Sequence, residues 1–425
     1  MSSREKCNLM TAMFDAAVAA AQPDRFIPDA LVRLLPSQVD GRLFVTGFGK
    51  ASAGMARAVE NNLPDALRMR CFGEVIVPDG YEETCTHITI TSASHPVPDT
   101  RGQAATRRIL EHAHSLTTID LMLVLVSGGG SSLFCLPHEA ITLQQKQKIT
   151  SDLLAAGAPI NQLNCVRKHL SAVKGGRLAV AAYPAVTLAF SISDVPGDDV
   201  TVIASGPTVA DPTSAAQACG LLADYDIEIP ATVEELLNSP ACETPFADHP
   251  FLSRSEMHIV ATPKKSLNAA ADIAKEAGYQ PLLLGDALEG PSRDLAAWMA
   301  EQARKVGPGK ALISGGETTV KVSGSGYGGR NAEFAHALCL DLANESSFYA
   351  LAADTDGIDG RTLPSGPVAG AMVKPDTLSR AAAQGLDAAA MLEDNDSHSF
   401  FTALGDAIVT GPTKTNVNDF RVVLT

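Results

Sequence analysis

The chain has 425 residues, 45% of them apolar and 19% charged, with a formal net charge of −15. That composition excludes a disordered or fibrous protein, and the length exceeds what one hydrophobic core usually organises, so two domains are expected. The acidic balance argues against nucleic acid and anionic membrane surfaces as partners, yet leaves room for a small anionic substrate, because the field inside a cleft is set by its nearest charges and amides. In chain order, residues 9–21 read as an apolar helix. No stretch has signal-peptide form and no run approaches the ~18 apolar residues of a membrane span, so a cytoplasmic location is expected. Residues 42–46 read as a strand, 51–61 as a helix, 74–77 and 87–91 as strands, 101–114 as a helix and 121–126 as a strand. Thr142 with Gln145 three residues on forms a capping box that opens a helix to about residue 156. A helix over 161–173 and a strand over 185–192 follow.

Three prolines between residues 239 and 250 suit an extended connection, and the domain boundary is placed there, giving 1–240 and 241–425. Beyond it come a strand over 257–261, a helix over 266–277, a strand over 281–284, a helix over 292–306 and a strand over 311–313. The alternation predicts an α/β fold with a mainly parallel sheet. Eight cysteines are scattered without the close spacing of zinc sites and read as reduced thiols.

Two strands run straight into glycines: Ser127-Gly128-Gly129-Gly130-Ser131-Ser132 and Ser314-Gly315-Gly316-Glu317-Thr318. Without a Cβ the backbone can turn so that successive amides converge on an oxygen-rich ligand, and phosphate chemistry is the leading expectation; a pair of tight turns without a ligand is the alternative. Gly47-Phe48-Gly49-Lys50-Ala51-Ser52 is neither of the familiar phosphate loops. Ala51 stands where a Walker A loop needs Ser or Thr, and Ser52 takes the third glycine position of a dinucleotide fingerprint. Lys50 would nonetheless put an ammonium at the carboxyl edge of a parallel sheet, where ligands bind. Asn164, Arg167, Ser171 and Lys174 fall on one helical face and could grip an anion, or form a solvated basic stripe. Asp194, just after an apolar strand, could accept a hydroxyl proton or hold magnesium. Residues 324–329 read as a flexible loop able to fold Arg330 onto a ligand. Asp354 and Asp356 match a calcium loop poorly and fit either a magnesium site or an Asx turn.

The ordered set of motifs resembles the type-2 glycerate kinases over nearly the whole chain. It comprises residues 47–52, Ser94-His95-Pro96-Val97-Pro98-Asp99, 127–132, 164–176, 193–198, 204–208, 315–318, 329–331, 354–357, 410–413 and 415–419. The C-terminal part of that family is the MOFRL domain. The resemblance implies an ATP-dependent, magnesium-assisted kinase acting on the 2-hydroxyl of D-glycerate, with a large Rossmann-like N-terminal domain, a smaller α/β C-terminal domain and the active site in the cleft between them. By position it assigns catalysis to Lys50, Asp194 and Arg330. Nucleotide or substrate binding is expected at Gly49, Ser52, His95, Gly128, Gly129, Gly130, Ser131, Ser132, Asn164, Arg167, Lys174, Gly315, Gly316 and Glu317, and metal binding at Asp194, Asp354 and Asp356. A homodimer is one assembly open to such a protein. The other activity weighed is an NAD(P)H-dependent hydroxypyruvate reductase, against which the incomplete fingerprint counts. A nucleotide sensor without turnover fits less well with a lysine, an aspartate and an arginine beside two glycine runs.

Overall fold

The computed structural model describes residues 1–343, 345 and 347–425. The alternating pattern resolves into two six-stranded sheets, one in each of two compact units. The first unit, Pro23–Val260, carries β1 (Leu43–Phe48), β2 (Cys71–Pro78), β3 (Ile88–Ala93), β4 (Leu121–Val126), β5 (Val186–Ile192) and most of β6 (Ser255–Ala261). Their order is β3-β2-β1-β4-β5-β6, with β3 to β5 all joined by parallel pairings. β1 and β4 are buried along their whole length, as central parallel strands covered on both faces must be, which is why Leu121 to Val126 is an unbroken apolar run. A second cluster, built by the helices Leu143–Ala155, Ile160–His169, Ala215–Asp224 and Ala231–Leu237, packs beside the sheet in the same unit.

The other unit joins Met1–Gln22 to Ala261–Thr425. Its strands are β7 (Gln280–Pro291), β8 (Lys310–Thr319), β9 (Tyr349–Asp354), β10 (Gly370–Val373), β11 (Ala407–Ile408) and β12 (Asp419–Leu424), in the order β11-β10-β9-β12-β8-β7. The last strand is inserted between β8 and β9, antiparallel to both, so this sheet is mixed rather than parallel. Helix Ser3–Ala20 contributes Leu9, Met10, Met13 and Phe14 to the core on one face, alongside helix Pro263–Glu276.

Several expectations are corrected. The compact units divide after Val260 rather than after residue 240, because the strand expected over 257–261 pairs into the first sheet as β6. The proline-rich connection is not extended: Pro240 and Pro250 each open a short 3-10 turn, where a missing N–H is harmless. Helix Ile160–His169 ends early, so Ser171 and Lys174 lie beyond it and do not continue its face. A helix, Pro23–Leu34, fills a stretch the sequence reading left unassigned. The capping box at Thr142 and Gln145 forms as expected. No described helix is long and apolar enough to cross a membrane.

Candidate active site

Because β1, β4 and β5 lie side by side in parallel, the residues that follow them emerge on one edge of the first sheet: Lys50, the run 127–132, and Asp194. The strand order reverses between β1 and β4, and open α/β sheets bind ligands beyond the carboxyl ends of their strands at such a switch point. The turns after β1 and β4 are stitched together. The Lys50 amide donates to the Gly128 carbonyl at 2.9 Å, and the Ala51 amide donates to Ser127 Oγ at 3.0 Å. Ser52 is fully buried, and its hydroxyl donates to the Leu125 carbonyl at 2.9 Å. At Gly49, with φ of +133°, an added Cβ would sit 2.3 Å from Ser127 Oγ. Gly49 and Ser52, expected as nucleotide contacts, therefore hold two turns together. Gly129, with φ of +81°, opens the short helix Gly130–Leu133, and the His95 ring lies against it, 2.8 Å from where a Cβ would stand. Ser132 Oγ donates back to the Gly129 carbonyl at 3.0 Å, and the Gly130 amide donates to the Ser127 carbonyl.

Ser131 is the centre of a cationic cluster within this unit. Arg167 donates to its hydroxyl at 2.7 Å, and Lys174 Nζ donates to its carbonyl at 2.7 Å, to its hydroxyl at 3.2 Å and to the Ala204 carbonyl at 3.4 Å. Ser205 Oγ lies 2.7 Å from Ser131 Oγ and donates to Asn164 Oδ1 at 3.3 Å. Lys146 reaches the same cavity with no hydrogen-bond partner for its Nζ. No carboxylate pairs with Lys146, Arg167 or Lys174 among the described residues. Burial, reinforced by the neighbouring cations, holds the Lys174 amine well below its ordinary range and pushes Lys146 down to about 8; burial lowers Arg167 as well. Buried charges in proteins are normally paired, which sets this cluster apart from the ion-paired cations elsewhere in the chain.

In the other unit Arg330 opens helix Arg330–Asp341 and is surrounded by carboxylates. Its Nε donates to Asp419 at 2.7 Å, one terminal nitrogen to Glu317 at 2.7 Å and the other to Asp354 at 2.8 Å. Burial opposes its charge, but Asp419, Asp354 and Glu317 more than offset it and raise its pKa. Asp419 also receives the Asn331 amide group at 2.7 Å and pairs with buried Arg421. Loop 324–329, expected to be flexible, is tied down: the Ser323 and Gly324 amides donate to Asn395 Oδ1, Ser325 to Asp394 and Tyr327 to Asp396.

Gly315 and Gly316 do not form a strand-to-helix turn. β8 runs through them to Thr319, opposite Phe420 and Asp419 of β12. A Cβ on Gly316 would stand 2.2 Å from the Leu288 backbone, so the glycine serves close strand packing. Asp354 and Asp356 form successive Asx turns, accepting the Asp356 amide at 3.0 Å and the Ile358 amide at 2.8 Å. No group of three or more His, Cys, Asp or Glu residues among the described residues is placed to hold a metal. That is no obstacle to a magnesium ion carried in by a nucleotide, which needs only one or two protein carboxylates.

Residues 9–238 match a domain of unknown function, DUF4147, and residues 310–419 match the MOFRL family. A Thermotoga maritima protein named D-glycerate 2-kinase is 38% identical over 416 residues, covering 96% of this chain and 95% of its own. The chain belongs to the glycerate 2-kinase family. A crystal structure of the Thermotoga maritima glycerate kinase superposes on this family member with a TM-score of 0.88 at 36% identity, covering 99% of both chains. An Agrobacterium vitis protein, 45% identical over 421 residues and covering 97% of this chain and 93% of its own, carries the provisional name hydroxypyruvate reductase.

Two polar residues of this glycerate 2-kinase family member, Lys146 and Ser205, are given no role by the sequence, although Ser205 falls within the 204–208 motif. Lys146 shares the buried face of its helix with Leu143, Ile149 and Leu153, and a lysine in register with an apolar stripe was the available signal. Ser205 lies in a left-handed run, with φ of 49° at Ala204, 63° at Ser205 and 56° at Gly206. Non-glycine residues held there store strain of about 1–3 kcal/mol each, which marks a backbone shaped for its neighbours.

Proposed function

We propose that this protein transfers the γ-phosphoryl group of ATP, supplied as its magnesium complex, to the 2-hydroxyl of D-glycerate, giving 2-phosphoglycerate and ADP. The observation that carries the reading is the edge of the first sheet, where Lys50 and Asp194 emerge beside the turn that leads to the unpaired cations around Ser131. Phosphoryl transfer needs positioning and charge neutralisation more than covalent chemistry, and these groups can supply both. Asp194 takes the hydroxyl proton. Lys50 neutralises charge on the moving group, Arg167 and Lys174 receive an anionic group of one substrate, and His95 with residues 128–132 shapes the turn that holds it. Arg330 is the third proposed catalytic residue. Glu317, at 47% the most exposed of its carboxylate partners, is the one a phosphoryl oxygen would displace. The eight free thiols suit a reducing, cytoplasmic setting.

The reductase reading is favoured by the name of the Agrobacterium relative. Against it stands the turn after β1, where a dinucleotide's pyrophosphate would sit: the amides of Lys50, Ala51 and Ser52 already donate to Gly128, Ser127 and Gly49. The two readings separate in one experiment. Purified protein with ATP, magnesium and D-glycerate is expected to form 2-phosphoglycerate, identified by phosphorus NMR. The 3-phosphate would overturn the regiochemistry alone, whereas hydroxypyruvate-dependent oxidation of NADH without kinase turnover would replace the kinase reading.

A further inference from the structure

We propose that the cavity of the first unit is the nucleotide site, with the phosphates of ATP held by Ser131, Lys146, Arg167 and Lys174 and the base packed on its apolar wall. The assignment rests on the kinase reading and adds which of the two substrates this cavity takes. Lys146 gives the first argument. It is 4% exposed, lies in the apolar stripe of helix Leu143–Ala155, lines the cavity, and leaves its Nζ without a partner. An unpaired buried ammonium destabilises a fold, so a cavity that keeps one beside two further cations is organised around a ligand's charge. Glycerate brings a single carboxylate, whereas a triphosphate brings several charges and enough oxygens for all the donors.

Size and surface point the same way. The cavity measures about 550 Å³, inside the roughly 300–1,000 Å³ of pockets that enclose drug-sized ligands. A three-carbon acid would fill the room of only a few water molecules at roughly 30 Å³ each. Much of the remaining wall is apolar, formed by Pro98, Leu143 and Leu163 together with Val97 and Leu154, which are 60% and 59% exposed, with Gln147, Lys148, Thr150 and Ser151 beside them. Large aliphatic side chains left open beside a charged pocket offer a flat heterocycle its packing surface.

Steady-state kinetics and ADP titration calorimetry on the full-length protein test this with Lys146→Met and Leu154→Asp. For Lys146→Met the expected result is a KM for ATP raised about 10- to 100-fold, with ADP affinity reduced in parallel and the KM for glycerate within about twofold of the unaltered enzyme. The same variant is expected to unfold at a higher temperature in the absence of ligand, since it removes the unpaired charge. Leu154→Asp, on the exposed wall, is expected to weaken ATP and ADP several-fold and to spare glycerate. A defect confined to glycerate, or unchanged ADP affinity in both variants, overturns the nucleotide assignment and leaves the kinase reading standing. If the unaltered protein has no ATP-dependent turnover but binds NADH in a Lys146-dependent way, both the kinase reading and this assignment fall.

Discussion

Lys50 and Asp194 follow β1 and β5, the two strands that flank β4, so the sheet sets where the two turns that carry them begin. Removing a preorganised charge that stabilises a transition state typically lowers turnover about 10²- to 10³-fold, and removing a general base about 10²- to 10⁴-fold. Lys50→Ala and Asp194→Asn are therefore expected to lose kcat on these scales, with circular dichroism and thermal unfolding unchanged. Near-normal kcat in either folded variant removes that residue from the mechanism. Their placement was legible in the sequence because they follow apolar strands at glycine- or proline-marked turns. Lys146 was hidden for the opposite reason: its chemistry comes from being buried without a partner, and burial is a property of packing that a helical stripe only hints at. Arg330, Glu317 and Asp354 were each singled out, but not the ion pairs that join Arg330 to both of them and to Asp419, since β12 brings Asp419 to it from the far end of the chain.

At the level of elements, the parallel sheet was readable because its central strands are short apolar runs closed by turn signals, and the helix Leu143–Ala155 opens on a clear cap at Thr142 and Gln145. The same rule misled at β8. Ile313 is followed by Ser314, Gly315 and Gly316, which locally resemble the end of β4, yet the strand continues because β12 pairs along it and β7 presses its Leu288 backbone against Gly316. Local sequence cannot distinguish a glycine that frees amides for a ligand from one that admits a neighbouring strand. Substitution can. Gly316→Ala places a methyl group within the Leu288 backbone in a conformation with φ of +115°, so it is expected to destabilise the fold by several kcal/mol, on the order of the larger single-site effects. The readout is the denaturant midpoint. A normal midpoint combined with lost nucleotide affinity would instead restore Gly316 as part of a phosphate cradle.

At the scale of the whole molecule, residues 1–22 and 261–425 build one unit, although the whole of the other unit lies between them in the sequence. Helix Ser3–Ala20 seals one face of the mixed sheet with Leu9, Met10, Met13 and Phe14, against Leu267, Ile313, Phe420 and Val422 from the far end. Full burial of a large apolar side chain stabilises by about 1.5–3 kcal/mol, so these four contribute on the order of 6–12 kcal/mol as an upper estimate. That is comparable to the entire stability of a typical domain, about 5–15 kcal/mol. A protein lacking residues 1–22 is accordingly expected to lose the cooperative unfolding transition of its C-terminal unit, and a fragment of residues 261–425 is expected to be unfolded or aggregated until the N-terminal helix is restored by fusion. Thermal unfolding followed by circular dichroism, with and without that helix, measures the effect directly. If residues 261–425 alone unfold cooperatively at the midpoint shown by the fused form, the N-terminal helix is an accessory rather than a part of the core.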